Sequence, residues 1–175
     1  LSIESSFDSG WEKDWPKCRR YIGENAASVR SVLSLLGVES AHYFGLTVNV
    51  FFPFDDLAGA LAHFSRTFIK NPVPPGLNEL SIRCVFVEYT KFYVNYTLSS
   101  SVKYVSPVGL QKPTLAYLKP AAYGISCSVD INDRFGFNTQ REYFTESEHL
   151  ARIEDLMDTV LSTRIEKIFK TGDFQ

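Results

Sequence analysis

Between Tyr123 and Ile131 every odd-numbered residue is apolar: Tyr123, Ile125, Cys127, Val129, Ile131. Every even-numbered one, from Gly124 to Asp130, is small or polar. Side chains alternate across a strand, so this run has one buried face and one wet face. Fully buried parallel strands are apolar on both faces, so the run favours an antiparallel sheet with helices against one side.

The other segments are read against that strand. Pro16 suits a first helical turn and Asp14 can cap it. Cys18, Tyr21, Ile22, Val29, Val32, Leu33 and Leu36 then recur at helical spacing up to Gly37. The spacing predicts a helix over about Pro16–Leu36. His42–Phe52 is rich in aromatic and β-branched residues and reads as a central strand that Pro53 ends. Asp55 or Asp56 can cap a second helix, to about Lys70, with Leu57, Leu61, Phe64 and Phe68 on one face.

Pro72-Val73-Pro74-Pro75 reads as a rigid connector, with a polyproline ligand as the alternative. Leu80–Leu98 alternates as a long β region with a turn or a bulge near Thr90-Lys91. Ser99-Ser100-Ser101 is expected to be a hairpin loop before a shorter strand, Val102–Val105. Ser106–Ala121 is expected to be a long connection holding Pro107, Gly109, Pro113 and Pro120. Asn132-Asp133-Arg134 is expected to turn the chain into a partner strand, Phe135–Phe144. Asp130–Asp133 fails as a calcium loop, because Phe135 stands where glycine is needed.

The last helix opens on Thr145-Glu146-Ser147-Glu148, a capping-box pattern. Its stripe is Leu150, Ile153, Met157, Val160, Leu161, Ile165 and Ile168, and Gly172 stops it. The expected fold is α+β: about five to six mostly antiparallel strands packed with three helices. One helix is N-terminal, one follows the first strand and one is C-terminal. Residues 1–13 are expected to be a flexible lead-in to a single domain over 14–175.

Composition narrows function by exclusion. With 18 basic and 20 acidic residues the net charge is −2, so the chain is not a general polyanion binder. No apolar stretch reaches the ~18 residues of a membrane span. Cys18, Cys84 and Cys127 are widely spaced and form no metal or disulfide pattern, which points to a reducing, intracellular and cytoplasmic setting. His42, His63 and His149 lie apart, and no nucleophile elbow or phosphate loop is present. No catalytic residue, metal ligand or cofactor is assigned. Asn95-Tyr96-Thr97 matches a glycosylation sequon but lies in a strand-like run.

Charge is unevenly distributed. From Tyr89 to Val129 there are four lysines and no acid, with six of the nine tyrosines. From Glu142 to Asp158 there are six acids and one base. The candidate interface or anion-binding residues are therefore Lys91, Tyr93, Lys103, Tyr104, Lys112 and Lys119. The sequence favours a non-enzymatic protein-interaction domain, binding a protein partner or itself. One alternative is nucleic-acid binding through strands 89–105, with Tyr96 as a further stacking residue. Another is a small-molecule enzyme or carrier in which Ser106–Ala121 lids a pocket and Lys112 and Lys119 hold an anion.

Overall fold

A computed structural model describes residues 14–37, 42–105, 118–145 and 147–174. Helix α1 spans Trp15–Leu35. Asp14 accepts the Lys17 amide at 3.2 Å, Pro16 occupies the first turn, and Gly37 closes the end with φ +69°. Strand β1 is Gly45–Phe54. Helix α2, Leu57–Phe64, is capped by Asp56, which accepts the Gly59 amide at 2.6 Å. It widens into a π turn, Ser65–Ile69, and ends at Lys70 in the left-handed region.

Strands β2, Ser81–Glu88, and β3, Phe92–Val105, form a hairpin whose turn places Tyr89 and Thr90 at positive φ. Strand β4 is Lys119–Asn132. A short helix α3, Arg134–Thr139, follows. Helix α4, Ser147–Thr159, runs through a π turn, Val160–Arg164, into α5, Ile165–Thr171. Gly172 stops α5 at φ +73°, with its Cα so close to the Thr67 carbonyl that a Cβ would lie 2.4 Å from that oxygen.

The fold is α+β with a four-stranded antiparallel sheet in the order β1-β4-β3-β2. The expected five to six strands reduce to four for local reasons. Ser99–Ser101 is not a loop. Ser100 faces Leu80, exchanging backbone and hydroxyl hydrogen bonds of 2.9 Å, and Ser99 and Ser101 pair with Ser126 and Gly124. Val102–Val105 is therefore the end of β3 rather than a strand of its own. Phe135–Phe144 is not a strand either. Asn132 Oδ1 accepts the Arg134 amide, the Phe137 amide bonds Asp133 O, and the chain coils into α3.

Strand β1 lies at an edge, not at the centre, and Pro53 does not end it. A proline is tolerated inside a strand only where its missing N–H faces outward. The expected Ser106–Ala121 connection also shortens: residues 119–121 belong to β4, and 106–117 lie outside the described residues, as does the lead-in 1–13.

Phe92, Val94, Tyr96 and Leu98 of β3 and Ile125, Cys127, Val129 and Ile131 of β4 are buried beneath the helices. Ala60 and Phe64 of α2, with Ile153, Leu156, Met157, Val160, Ile165 and Ile168 of the C-terminal helices, close this core. The stripe read from sequence shifts at the π turn. Leu156 is buried, whereas Leu161 is only half-buried at the core margin. The Thr145 hydroxyl donates to Asp133, and α4 is described from Ser147. Helix α1 packs outside α4, joined by Arg19–Asp158 at 2.9 Å and Arg30–Glu154 at 3.8 Å. No described helix is long and apolar enough to cross a membrane.

Candidate functional site

The candidate interface residues do not converge. Lys91 and Tyr93 lie at one end of β3, Lys103 and Tyr104 at the other, with Lys119 paired to Val105. At ~3.3 Å per residue, Lys91 and Lys103 are separated by about 40 Å of strand. Lys91, Tyr93 and Lys103 also have structural partners. Lys103 Nζ sits 4.0 Å above the Phe51 ring, and that ring covers Gly124 so closely that a Cβ there would lie 2.6 Å from it. Tyr93 meets Phe135 edge-on at 5.4 Å. Tyr104 flanks the β-bulge and is exposed. Lys112 lies outside the described residues. Tyr96 is fully buried on the helix side, against Phe86 and Phe174, so it is not a stacking residue.

Lys91 leads instead into a polar cluster that sequence reasoning missed. Its Nζ is 3.2 Å from His149 Nε2. His149 Nδ1 is 3.4 Å from the Tyr143 hydroxyl, which donates to Asp133 Oδ2 at 2.8 Å. The Thr145 hydroxyl also donates to Oδ2, and the Phe44 amide to Oδ1 at 2.7 Å. A carboxylate is acceptor-only, so Tyr143 gives its proton to Asp133 and accepts from Nδ1–H of His149. His149 Nε2 then accepts from the Lys91 ammonium. The donors run in one direction, from the half-buried Lys91 to the fully buried Asp133. Asp133 thereby ties β1, the end of β4 and the approach to α4 together. In sequence it reads as an ordinary turn residue.

The other histidines serve elsewhere. His63 Nε2 donates to the Phe169 carbonyl at 3.0 Å, at the C-terminal end of α5, where a donor satisfies an orphan carbonyl. His42 stacks on Phe137 at 5.6 Å. Among the described residues, no three His, Cys, Asp or Glu side chains are grouped to hold a metal. Cys18 and Cys127 are buried and Cys84 is half-buried. Burial pushes the Cys127 thiol up to about 12 and raises Cys84 as well.

The sheet face away from the core is polar. Arg83 reaches Asn95 at 3.4 Å, Asn95 Nδ2 donates to Asp130 Oδ2 at 3.2 Å, and the Thr47 hydroxyl donates to Asp130 Oδ1 at 3.4 Å. This belt crosses all four strands. It also buries the Asn95 amide, so the sequon offers no accessible acceptor nitrogen.

The two edges of the sheet differ in chemistry. Phe44 O accepts the Asp133 amide, so the even residues of β1 turn their backbone toward β4 and the odd ones turn it outward. Pro53 therefore occupies an outward slot. Leu80 O accepts the Ser100 amide, so the outward residues of β2 are Ser81, Arg83, Val85 and Val87. None is proline, glycine or lysine, and Val85 and Val87 are 47% and 46% exposed. Among the described residues, no strand pairs with the outer side of β2.

No protein-family model, no curated protein and no solved structure matches this chain.

Proposed function

We propose that this chain is a non-enzymatic protein-interaction domain that binds an extended segment along the outer edge of β2. The observation that supports this reading is the contrast between the sheet's two edges. Proteins blunt exposed edges with proline, lysine, bulges or very short strands, because unpaired amides and carbonyls recruit other chains. β1 carries Pro53 in an outward slot. β2 runs eight residues with no proline, lysine or bulge, carries one outward charge, Arg83, and adds two exposed valines. Strand addition draws affinity from main-chain hydrogen bonds and selectivity from alternate side chains. Here the alternate side chains are Arg83, Val85 and Val87.

Affinity capture from the native source tests this reading, comparing the wild-type chain with Val85→Pro. The Val85 amide points away from β3, so proline there leaves the β2–β3 ladder intact while removing an edge donor. The expected result is a bound protein that the variant loses, with slowed amide exchange at Arg83, Val85 and Val87 in the complex. Turnover of a small molecule, with no protein bound at β2, would overturn it.

A further inference from the structure

We infer that the strand accepted by β2 is the β2 of a second copy, paired antiparallel about a two-fold axis at Val85. This inference rests on the reading of β2 as a binding edge and names its occupant.

The argument starts from which edge pairings the chain permits. Two copies can join β1 to β2, β1 to β1, or β2 to β2. The first is head-to-tail and leaves a free edge at each end, so it propagates without closing. Pro53 opposes it, as it opposes β1 to β1: an incoming strand meets a pyrrolidine ring and no N–H at that slot. Pairing β2 with β2 avoids Pro53. It is also isologous, so it closes after two copies and leaves only guarded β1 edges exposed. One guarded edge and one open edge thus select a closed dimer over a filament.

The side chains fit that pairing. In an antiparallel ladder outward residues face outward residues. With the axis at Val85, each Val85 opposes its own copy, and each Val87 opposes Arg83 of the second copy. The aliphatic stem of an arginine can lie along a valine while its guanidinium stays in water. These narrow pairs exchange ~6 backbone hydrogen bonds. An axis at Arg83 would set two guanidinium groups opposite one another, which like charge disfavours. An axis at Val87 would run the strand into the turn, where Tyr89 and Thr90 take left-handed φ.

The helices pack mainly over β1, β3 and β4, and β2 is reached from the core side by Arg164, through Glu88, and by Phe174, through Phe86. Among the described residues no strand pairs with the outer edge of β2, so it can take a second sheet, and the product is a continuous eight-stranded sheet.

Sedimentation velocity with light scattering on the full chain, over a concentration series, tests the inference. The expected wild-type mass is twice 19.8 kDa at high concentration. Val85→Pro should return it to the monomer with an unchanged near-ultraviolet circular dichroism spectrum. If that variant fails to fold, Val85→Lys keeps the amide and places a charge on the axis, and it should also be monomeric. Pro53→Val should open the second edge and raise the mass beyond the dimer. A wild-type chain that stays monomeric up to its solubility limit would overturn the inference, as would a dimer that survives both Val85 variants. A monomer that still captures another protein through β2 would remove the second copy alone and leave β2 as a binding edge. A monomer whose capture of another protein is unaffected by Val85→Pro would remove both.

Discussion

Tyr143 and Asp133, ten residues apart in the chain, meet inside the protein, with the phenol donating to Oδ2 at 2.8 Å. The carboxylate is fully buried and also takes the Thr145 hydroxyl and the Phe44 amide. Tyr143→Phe keeps the ring and removes one hydrogen bond to a charged acceptor, so it should cost ~1.5–3 kcal/mol. Asp133→Ala orphans three donors at once and should cost more than any single partner variant. Urea denaturation of both measures this. A Tyr143→Phe midpoint equal to wild type would mean that the phenol contributes nothing to holding the junction.

The C-terminal helices give a paired prediction. Ile153 is fully buried, whereas Leu161 lies at the margin of the core within the π turn. Ile153→Ala should cost ~2–5 kcal/mol, the range for deleting a buried large side chain. Leu161→Ala should cost less, because water can fill part of the space it leaves. Equal thermal midpoints for the two variants would place Leu161 in the core after all.

Gly124 marks a close approach on the polar face. An added methyl would lie 2.3 Å from the Phe52 carbonyl and 2.6 Å from the Phe51 ring. The carbonyl belongs to the sheet backbone and cannot yield cheaply. Gly124→Ala should therefore destabilise by about 1–3 kcal/mol, as overpacking does. It should also dislodge Phe51 from beneath Lys103. Chemical denaturation, together with the ring resonances of Phe51, reads both effects.

Cys127 predicts an alkaline loss of stability. Burial pushes its thiol from 9.0 up to about 12 in the folded chain. Between those values the unfolded chain releases its proton while the folded chain keeps it. The unfolded state then binds fewer protons, and stability falls as pH rises. This contribution is fully present below about pH 9 and is lost toward about pH 12. Cys127→Ala should flatten that part of the profile relative to wild type. In native buffer Cys127 should resist thiol reagents, and denaturant should release its reactivity. Rapid native labelling of Cys127 would contradict its burial.

Local signals in the sequence located much of this fold. The alternation over Tyr123–Ile131, the caps at Asp14 and Asp56 and the stops at Gly37 and Gly172 all act within a few residues. A cap or an alternating face is complete in its own segment, so composition and spacing suffice to find it. The α+β class and the antiparallel sheet follow from the same signals.

Tertiary structure decided what depends on a distant partner. Three serines became strand rather than loop because β4 and Leu80 supply their hydrogen bonds. Phe135–Phe144 failed to pair because Asp133 and Asn132 start a helix there. The clustered lysines and tyrosines between Tyr89 and Val129 suggested one surface, yet a strand spreads them along its length and turns alternate residues inward, so Tyr96 entered the core. Asp133 became a junction only through Phe44, 89 residues away. Pro53 acquired its meaning last: its sequence neighbours say only that a donor is missing, while the pairing of β1 with β4 determines that the missing donor faces outward.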